Sequence, residues 1–351
     1  METPSELAFS CPVKKNQYDH VLLAHGGGGT LMQNLIASVF LPAFSNPLLN
    51  QQHDAAVIDL GGTQVAFTTD SYVVQPLFFP GGDIGSLAVH GTVNDLAMSG
   101  AKPLALSLGL ILEEGFPIAE LKRITASIQA AASRCGVVIA TGDTKVVNKG
   151  KGDGVYINTS GIGIVPEGVL IHPRQVQPGD VVLVNGDIGR HGMAIMAVRE
   201  GLEFESAIES DSAPVSDLVG QLLAAPVAIH CLRDCTRGGV AASLNEIAAS
   251  RRLQIELMEE SIPVRPDVEA ACEILGFDPL YVANEGRFVA FLPEKEADKA
   301  LAILHAHPQG QGARVIGVVR DASQPLVTMQ SALGSTRILD QLSGEQLPRI
   351  C

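Results

Sequence analysis

Apolar positions along the chain follow two periods, and the switches between them mark the elements. Leu31, Leu35, Ile36, Val39 and Phe40 recur at helical spacing, so a short helix follows the glycine run 26–29. Residues 56–74 alternate as two strands joined at Gly61-Gly62, a hairpin signal. A helix is predicted from Gly85 to Gly100, with Leu87, Val89, Val93, Leu96 and Ala97 apolar, and a buried strand from Leu104 to Leu112. Pro117 opens an amphipathic helix carrying Leu121, Ile124, Ile128, Ala132 and Cys135 on one face, and Gly136 ends it. Strands are expected at 137–140 and 155–165.

Pro166, Pro173, Pro178 and Gly179 punctuate the middle of the chain, and the alternation then resumes. Strands are predicted at 181–185, 253–258, 287–292 and 314–319. Helices are predicted near 191–200, 215–230, 239–251, 267–275 and 294–306. Gly82-Asp83-Ile84-Gly85 recurs as Gly186-Asp187-Ile188-Gly189, which hints at two related halves, although four residues can also recur by chance. Beyond residue 331 the chain turns polar, with Gly334 and Gly344 as hinges. The pattern gives an α/β protein in four parts: an extension over 1–20, one domain over 21–166, a second over 167–331, and a tail over 332–351.

Composition narrows the function classes. The 351 residues are 46% apolar but only 4% aromatic, with no Trp, so the core is built of aliphatic side chains. Twenty-four basic against 38 acidic residues give a net charge of −14. That balance argues against nucleic acid or an anionic membrane as partner, while leaving room for a phosphate site made by backbone amides and metal ions. The acidic start, Met1-Glu2-Thr3-Pro4-Ser5-Glu6, lacks the features of a signal peptide, and the longest apolar run is broken at Ser107. Six dispersed cysteines do not form a disulfide framework, so a cytoplasmic location is expected.

Candidate chemistry is spread along the chain. His25-Gly26-Gly27-Gly28-Gly29-Thr30, just before a helix, reads either as an anion nest or as a flexible linker; it matches neither the P-loop nor GxGxxG. Asp54, Asp70 and Asp95, with Asp143 after a later strand, are carboxylates of the kind that hold Mg²⁺ beside phosphates. Taken singly, each also reads as a cap or turn residue, Asp95 least easily, because an aspartate inside a helix costs propensity. Lys145, near Asp143, suits a phosphate contact or a proton transfer. Glu285, between Asn284 and Gly286 at the edge of a strand, is either a reactive carboxylate or a turn residue. Cys231 and Cys235 lack the second pair that a zinc site needs. Cys351, the last residue, is either an incidental thiol or a carrier on a mobile arm; its position does not match a prenylation signal.

Five stretches, in order, resemble the HypE family of hydrogenase maturation proteins: Phe79-Pro80-Gly81-Gly82-Asp83-Ile84-Gly85, Gly91-Thr92-Val93-Asn94-Asp95-Leu96-Ala97, Glu113-Glu114-Gly115-Phe116-Pro117, Thr141-Gly142-Asp143-Thr144-Lys145-Val146 and the terminal Pro348-Arg349-Ile350-Cys351. The related Asp-Xaa-Thr-Arg-Gly-Gly signature matches Asp234 to Gly239, with Cys235 where proline is common. The resemblance spans about His25 to Cys351.

It implies the two-domain PurM-like fold shared with aminoimidazole ribonucleotide synthetase, selenophosphate synthetase and thiamine-monophosphate kinase. There an antiparallel sheet in the first domain pairs two chains into a homodimer. ATP would lie in the cleft on His25, Gly26, Gly27, Gly28, Asp54, Asp70, Asn94, Asp95 and Asp143, with Mg²⁺ on Asp54, Asp70 and Asp95. The implied activity is a carbamoyl dehydratase. A carbamoyltransferase partner loads Cys351, ATP drives dehydration of the thiocarboxamide to a thiocyanate, and the cyano group passes to an iron-bearing scaffold complex as the cyanide ligand of nickel–iron hydrogenase. Glu285 is the expected base and Lys145 a phosphate or carbamoyl-oxygen contact. The terminal carboxylate would raise the Cys351 thiol pKa and Arg349 would lower it. An arm hinged at Gly334 has 18 residues and spans at most about 60 Å. The competing readings are another ATP-using kinase or synthetase of this fold, and a non-catalytic carbamoyl or cyano carrier.

Overall fold

The computed structural model describes residues 18–202, 207–343 and 350. After a single turn at Leu23–Gly26, the glycine run leads into α1 (Thr30–Leu35) and α2 (Leu41–Phe44), joined by one π-helical turn. The next elements are β1 (Ala56–Asp59), β2 (Gln64–Tyr72), the two-residue strands β3 (Phe78–Phe79) and β4 (Gly82–Asp83), α3 (Ile84–Met98), β5 (Lys102–Glu113), α4 (Ile118–Cys135), β6 (Val138–Val147) and β7 (Val155–Val165). The long strands form one sheet in the order β1-β2-β7-β5-β6. The hairpin predicted at Gly61-Gly62 is present, with Asp59 opposite Gln64.

Helix α3 is the buried axis of this half. Asp83 caps it: Oδ1 accepts from the amides of Gly85 at 2.8 Å and Ser86 at 3.2 Å, and Ser86 Oγ accepts from the Asp83 amide. Ile84, Leu87, Val89, Val93 and Leu96 are fully buried against the sheet and α4. An all-round apolar helix is what a core position demands, and it makes Asp95 an anomaly to be explained.

The second half contains β8 (Asp180–Val184), α5 (Arg190–Arg199), α6 (Ser216–Ala224), β9 (Cys231–Asp234), α7 (Gly239–Arg251), β10 (Leu253–Met258), α8 (Pro266–Leu275), β11 (Phe288–Pro293), α9 (Ala297–His305), β12 (Arg314–Asp321), β13 (Leu326–Gln330) and β14 (Thr336–Ile338). Its sheet runs β14-β13-β10-β12-β8-β11-β9. The repeated Gly-Asp-Ile-Gly lies before a helix both times, but the aspartates act differently. Asp83 caps α3, whereas Asp187 pairs with Arg190 at 2.6 Å and Arg287 at 2.9 Å.

Four expectations are corrected. The strand expected to be buried at 104–112 is only half covered, with Leu104 and Ile111 each 43% exposed. The strand expected at 137–140 continues to Val147 and is exposed for nearly its whole length. The helix expected over 215–230 ends at Ala224, and β9 follows, because Cys231 and Leu232 insert beside β11. The polar segment after 331 is not loose from its start. Gly334 takes φ +83° in a turn closed by the Ser331 amide on the Ser335 carbonyl at 2.7 Å. β14 then pairs with β13, and Leu339 is fully buried. Gly344 and nearly all of the 1–20 extension lie outside the described residues.

Candidate active site

A cavity of about 250 Å³ opens between the two halves. The first half lines it with Gly28, Gln33, His53, Asp54, Asp70, Tyr72 and Asp95; the second contributes Arg233, Asp234, Arg237, Glu246 and Glu285. Asp54, Asp70 and Asp95, far apart in sequence, therefore come to one place, and Glu285 joins them from the other half.

Each carboxylate is held by its own element. Asp70, near the end of β2, accepts from the Tyr72 hydroxyl at 3.0 Å. Asp95 projects from α3 and accepts from the Thr68 hydroxyl at 2.8 Å, which explains its place in an apolar helix. Asp54, just before β1, meets Arg233 Nη1 at 3.0 Å through Oδ1, while its Oδ2 is buried with no hydrogen-bond partner. Arg233 also pairs with Glu246, and Glu246 accepts from the Gln33 side chain of α1 at 3.2 Å. Glycine makes room: a Cβ on Gly91 would lie 2.3 Å from the Tyr72 hydroxyl, and one on Gly28, at φ +78°, 2.7 Å from the Arg237 carbonyl.

The electrostatics are those of a site short of positive charge. Burial, then the Asp70, Asp234 and Asp54 charges, push Asp95 well above the usual carboxylate range. Burial, then Asp54, raise Asp234 to about 8, and burial raises Asp70. Burial, then Asp211, Asp234 and Asp70, raise Glu285 well above its ordinary value. Glu285 is 4% exposed, and its Oε1 is buried without a partner.

Several expected residues lie elsewhere. The Asn94 side chain donates to the carbonyls of Ala213 at 3.0 Å and Glu285 at 3.2 Å and accepts from the Val215 amide at 2.9 Å. It braces the Glu285 loop rather than lining the cavity. His25 Nδ1 accepts from the Leu22 amide at 2.9 Å, the Gly26 carbonyl accepts from Arg237, and of His25, Gly26, Gly27 and Gly28 only Gly28 borders the cavity. Asp143 and Lys145 stand on β6, each 69% exposed, paired with each other at 2.7 Å and outside the cavity. Cys351 lies outside the described residues. Residues absent from the expected set, Tyr72, Arg233, Asp234 and Arg237, line the cavity; three of them sit in Arg233-Asp234-Cys235-Thr236-Arg237, where two guanidinia beside a carboxylate were the available signal.

The residues fit Mg²⁺ with a nucleotide. Asp54 Oδ2, which accepts no hydrogen bond and has His53 Nδ1 at 3.6 Å, and the crowded buried carboxylates suit a cation. Among the described residues no group of three or more His, Cys, Asp or Glu is arranged to hold a metal by itself. Mg²⁺ takes part of its shell from phosphate oxygens and water, so a bound nucleotide would have to supply the rest of the ligands.

The model of the AIR synthase related protein N-terminal domain matches residues 52–165, and that of the C-terminal domain matches 177–329. Carbamoyl dehydratase HypE of Cupriavidus necator is 53% identical over 330 residues, covering 94% of each chain. That of Escherichia coli is 45% identical over 338 residues, 95% of this chain and all of its own. Among solved structures, a HypE–HypF complex superposes with a TM-score of 0.84 at 48% identity, over 88% of this chain and 99% of the other. HypE in complex with ATP gives 0.80 at 47% identity, over 95% of this chain and all of the other. A thiamine monophosphate kinase from Aquifex aeolicus, at 16% identity and a TM-score of 0.63, shares the fold. The two-domain PurM-like fold is thus established, and the chain belongs to the carbamoyl dehydratase HypE family of hydrogenase maturation proteins.

Proposed function

We propose that this chain dehydrates a carbamoyl group carried on Cys351 to a thiocyanate at the expense of ATP, supplying the cyanide ligand of a nickel–iron hydrogenase. The observation that carries the reading is the return of the chain end. Ile350, bonded to Cys351, is buried in the same apolar cluster as Tyr72, which borders the carboxylate cavity.

ATP with Mg²⁺ supplies the phosphoryl group that turns the carbamoyl oxygen into a leaving phosphate. The remaining work is the chain's own. Asp54, Asp70 and Asp95, joined by Asp234, would hold the cation; Gly28 leaves room for phosphate, and Arg237 offers positive charge. Converting S–C(O)NH₂ to S–C≡N removes both nitrogen protons. Glu285, buried at the cavity and with an Oε1 that has no hydrogen-bond partner, is placed to take one.

Asp143 and Lys145 sit on an outward sheet, so a part in this chemistry requires a second copy. The sheet face exposes Phe67, Leu104, Ile111 and Ile162, the composition of a homodimer contact. The HypE–HypF structure supports a carbamoyltransferase as donor, and an iron-bearing scaffold would be the acceptor. Cytoplasm is the compartment we assign.

Intact mass of the tail peptide tests the reading. After incubation with partner and carbamoyl donor, Cys351 should carry a carbamoyl adduct that loses one water only when Mg-ATP is added. An adduct on another cysteine, or water loss without ATP, overturns it. ATP-dependent turnover of a small substrate that survives truncation of residues 348–351 favours the kinase reading.

A further inference from the structure

His191, in the first turn of α5, is completely buried, and both of its ring nitrogens are engaged. Nε2 lies 2.8 Å from the carbonyl oxygen of Ile350. Nδ1 lies 2.8 Å from Ser210 Oγ, which accepts from the Ser212 amide at 3.0 Å. A carbonyl only accepts, so Nε2 carries the proton; Nδ1 of the neutral ring then accepts from the Ser210 hydroxyl. Burial lowers the ring's pKa and favours this neutral form. The Phe79 ring packs edge-on at 5.5 Å and fixes the imidazole plane.

The same turn is tied to Glu285. Asp211 Oδ1 accepts from the His191 amide at 3.0 Å, while its Oδ2 accepts from the amides of Glu285 at 3.2 Å and Gly286 at 3.0 Å. One buried carboxylate therefore spans from the residue that holds the chain end to the backbone of the proposed base. Cys351 is attached to the very carbonyl carbon whose oxygen His191 binds.

We propose that His191 is a positioning residue for the dehydration: its Nε2–H captures the Ile350 carbonyl and, through Asp211, sets the terminal residue in register with Glu285. The arm must leave this hold to be loaded by a partner and return to it to react. The inference deepens the proposed function and rests on it for its catalytic meaning; the docking itself does not.

The experiment compares wild-type full-length protein with His191→Leu, which removes the donor, and His191→Gln, whose side-chain amide can restore it. The first measurement is alkylation of Cys351 by iodoacetamide without nucleotide or partner, mapped by peptide mass. The leucine variant should react about tenfold faster, the cost of leaving one buried carbonyl unpaired, and the glutamine variant should return towards wild type. Cys231 and Cys235, buried and with thiol pKa values pushed up by burial, should stay unlabelled and so report an intact fold. The second measurement follows carbamoyl-loaded protein on addition of Mg-ATP: water loss should slow about tenfold in the leucine variant, with loading not slowed. Equal alkylation in the three proteins, or a glutamine variant as fast as leucine, overturns the inference. If the leucine variant labels Cys231 and Cys235, Ser210→Ala decides: faster Cys351 labelling supports the hold, and an unchanged rate overturns it. Wild-type protein that never loses water defeats the dehydration reading alone, since the alkylation series needs neither ATP nor adduct.

Discussion

The two sheets are finished differently. In the second half, β8 and β11 are buried along almost their whole length, and Phe288 and Phe291 are fully covered. In the first, α3 and α4 cover one face, while Phe67, Leu104, Ile111 and Ile162 stand exposed and β6 forms an open edge. The charges follow the same division. Between the halves, carboxylates are crowded out of water and driven above their ordinary pKa; on β6, Asp143 is held below its ordinary value by the hydrogen bond from Lys145 in open solvent. A closed sheet anchors a fold, whereas an open one of this composition calls for cover. Residues of one family motif, Asp143 and Lys145, thus stand apart from the cavity of their own chain.

The largest effect should separate the two regions by function. Glu285→Gln should slow water loss about a thousandfold, in line with removal of a general base, and leave loading intact; unchanged dehydration would remove the base assignment. Lys145→Ala should also lose activity, and mixing it with Glu285→Gln chains should recover part of it if the lysine serves a second copy. No recovery in the mixture would place Lys145 within its own chain. Next comes stability. Phe291→Ala should cost about 3–5 kcal/mol in denaturant titration, whereas Phe67→Ala on the open sheet should cost a monomer under about 1 kcal/mol. Similar losses would mean that the first sheet is not the unfinished one.

The cavity makes a third test. Asp95 has a raised folded-state pKa, so its contribution to stability is greatest below its unfolded value and is lost as pH rises through the folded one. At pH 8 without metal, Asp95→Asn should therefore stabilise the protein by roughly 1–2 kcal/mol, read as a higher melting midpoint, and should lessen the gain from Mg-ATP. A lower midpoint would show that the carboxylates are not in conflict. His90 makes the opposite case. Burial, then Arg134, lower it to about 4, so its contribution is full above pH 6.5 and is lost as pH falls towards 4. His90→Gln should flatten that window by about 1–2 kcal/mol.

Much of this was legible in the sequence because local chemistry agreed with the global fold. Asp83 and Ser86 cap α3 where the apolar run begins, Pro117 and Gly136 bound α4, and the glycine pair turns the first hairpin. The three aspartates converge as expected, since their element ends meet at one edge of the sheet. What escaped depended on partners distant in sequence. β9 is four residues long and half polar, and β14 is a triplet with two polar residues; both are strands only because β11 and β13 lie alongside. The outward placement of Lys145 and the bracing by Asn94 were hidden for the same reason, as a motif names residue types and leaves open which way a strand or helix turns them.

β14 also changes the arithmetic of the arm. The chain is held through Ile338, Leu339 is buried, and the Leu342 carbonyl accepts from the Thr30 amide at 2.8 Å. An arm carrying the thiol can therefore be rooted no earlier than Ser343, nine residues inclusive from Cys351 rather than 18, and would reach about 30 Å instead of about 60 Å. Because the local concentration of a tethered group rises roughly as the inverse three-halves power of its leash, halving the length concentrates the adduct at its own cavity about threefold. It also narrows where a donor can stand, since the loading enzyme must bring its reactive centre within about 30 Å of the root of the leash, beside the glycine run that opens α1.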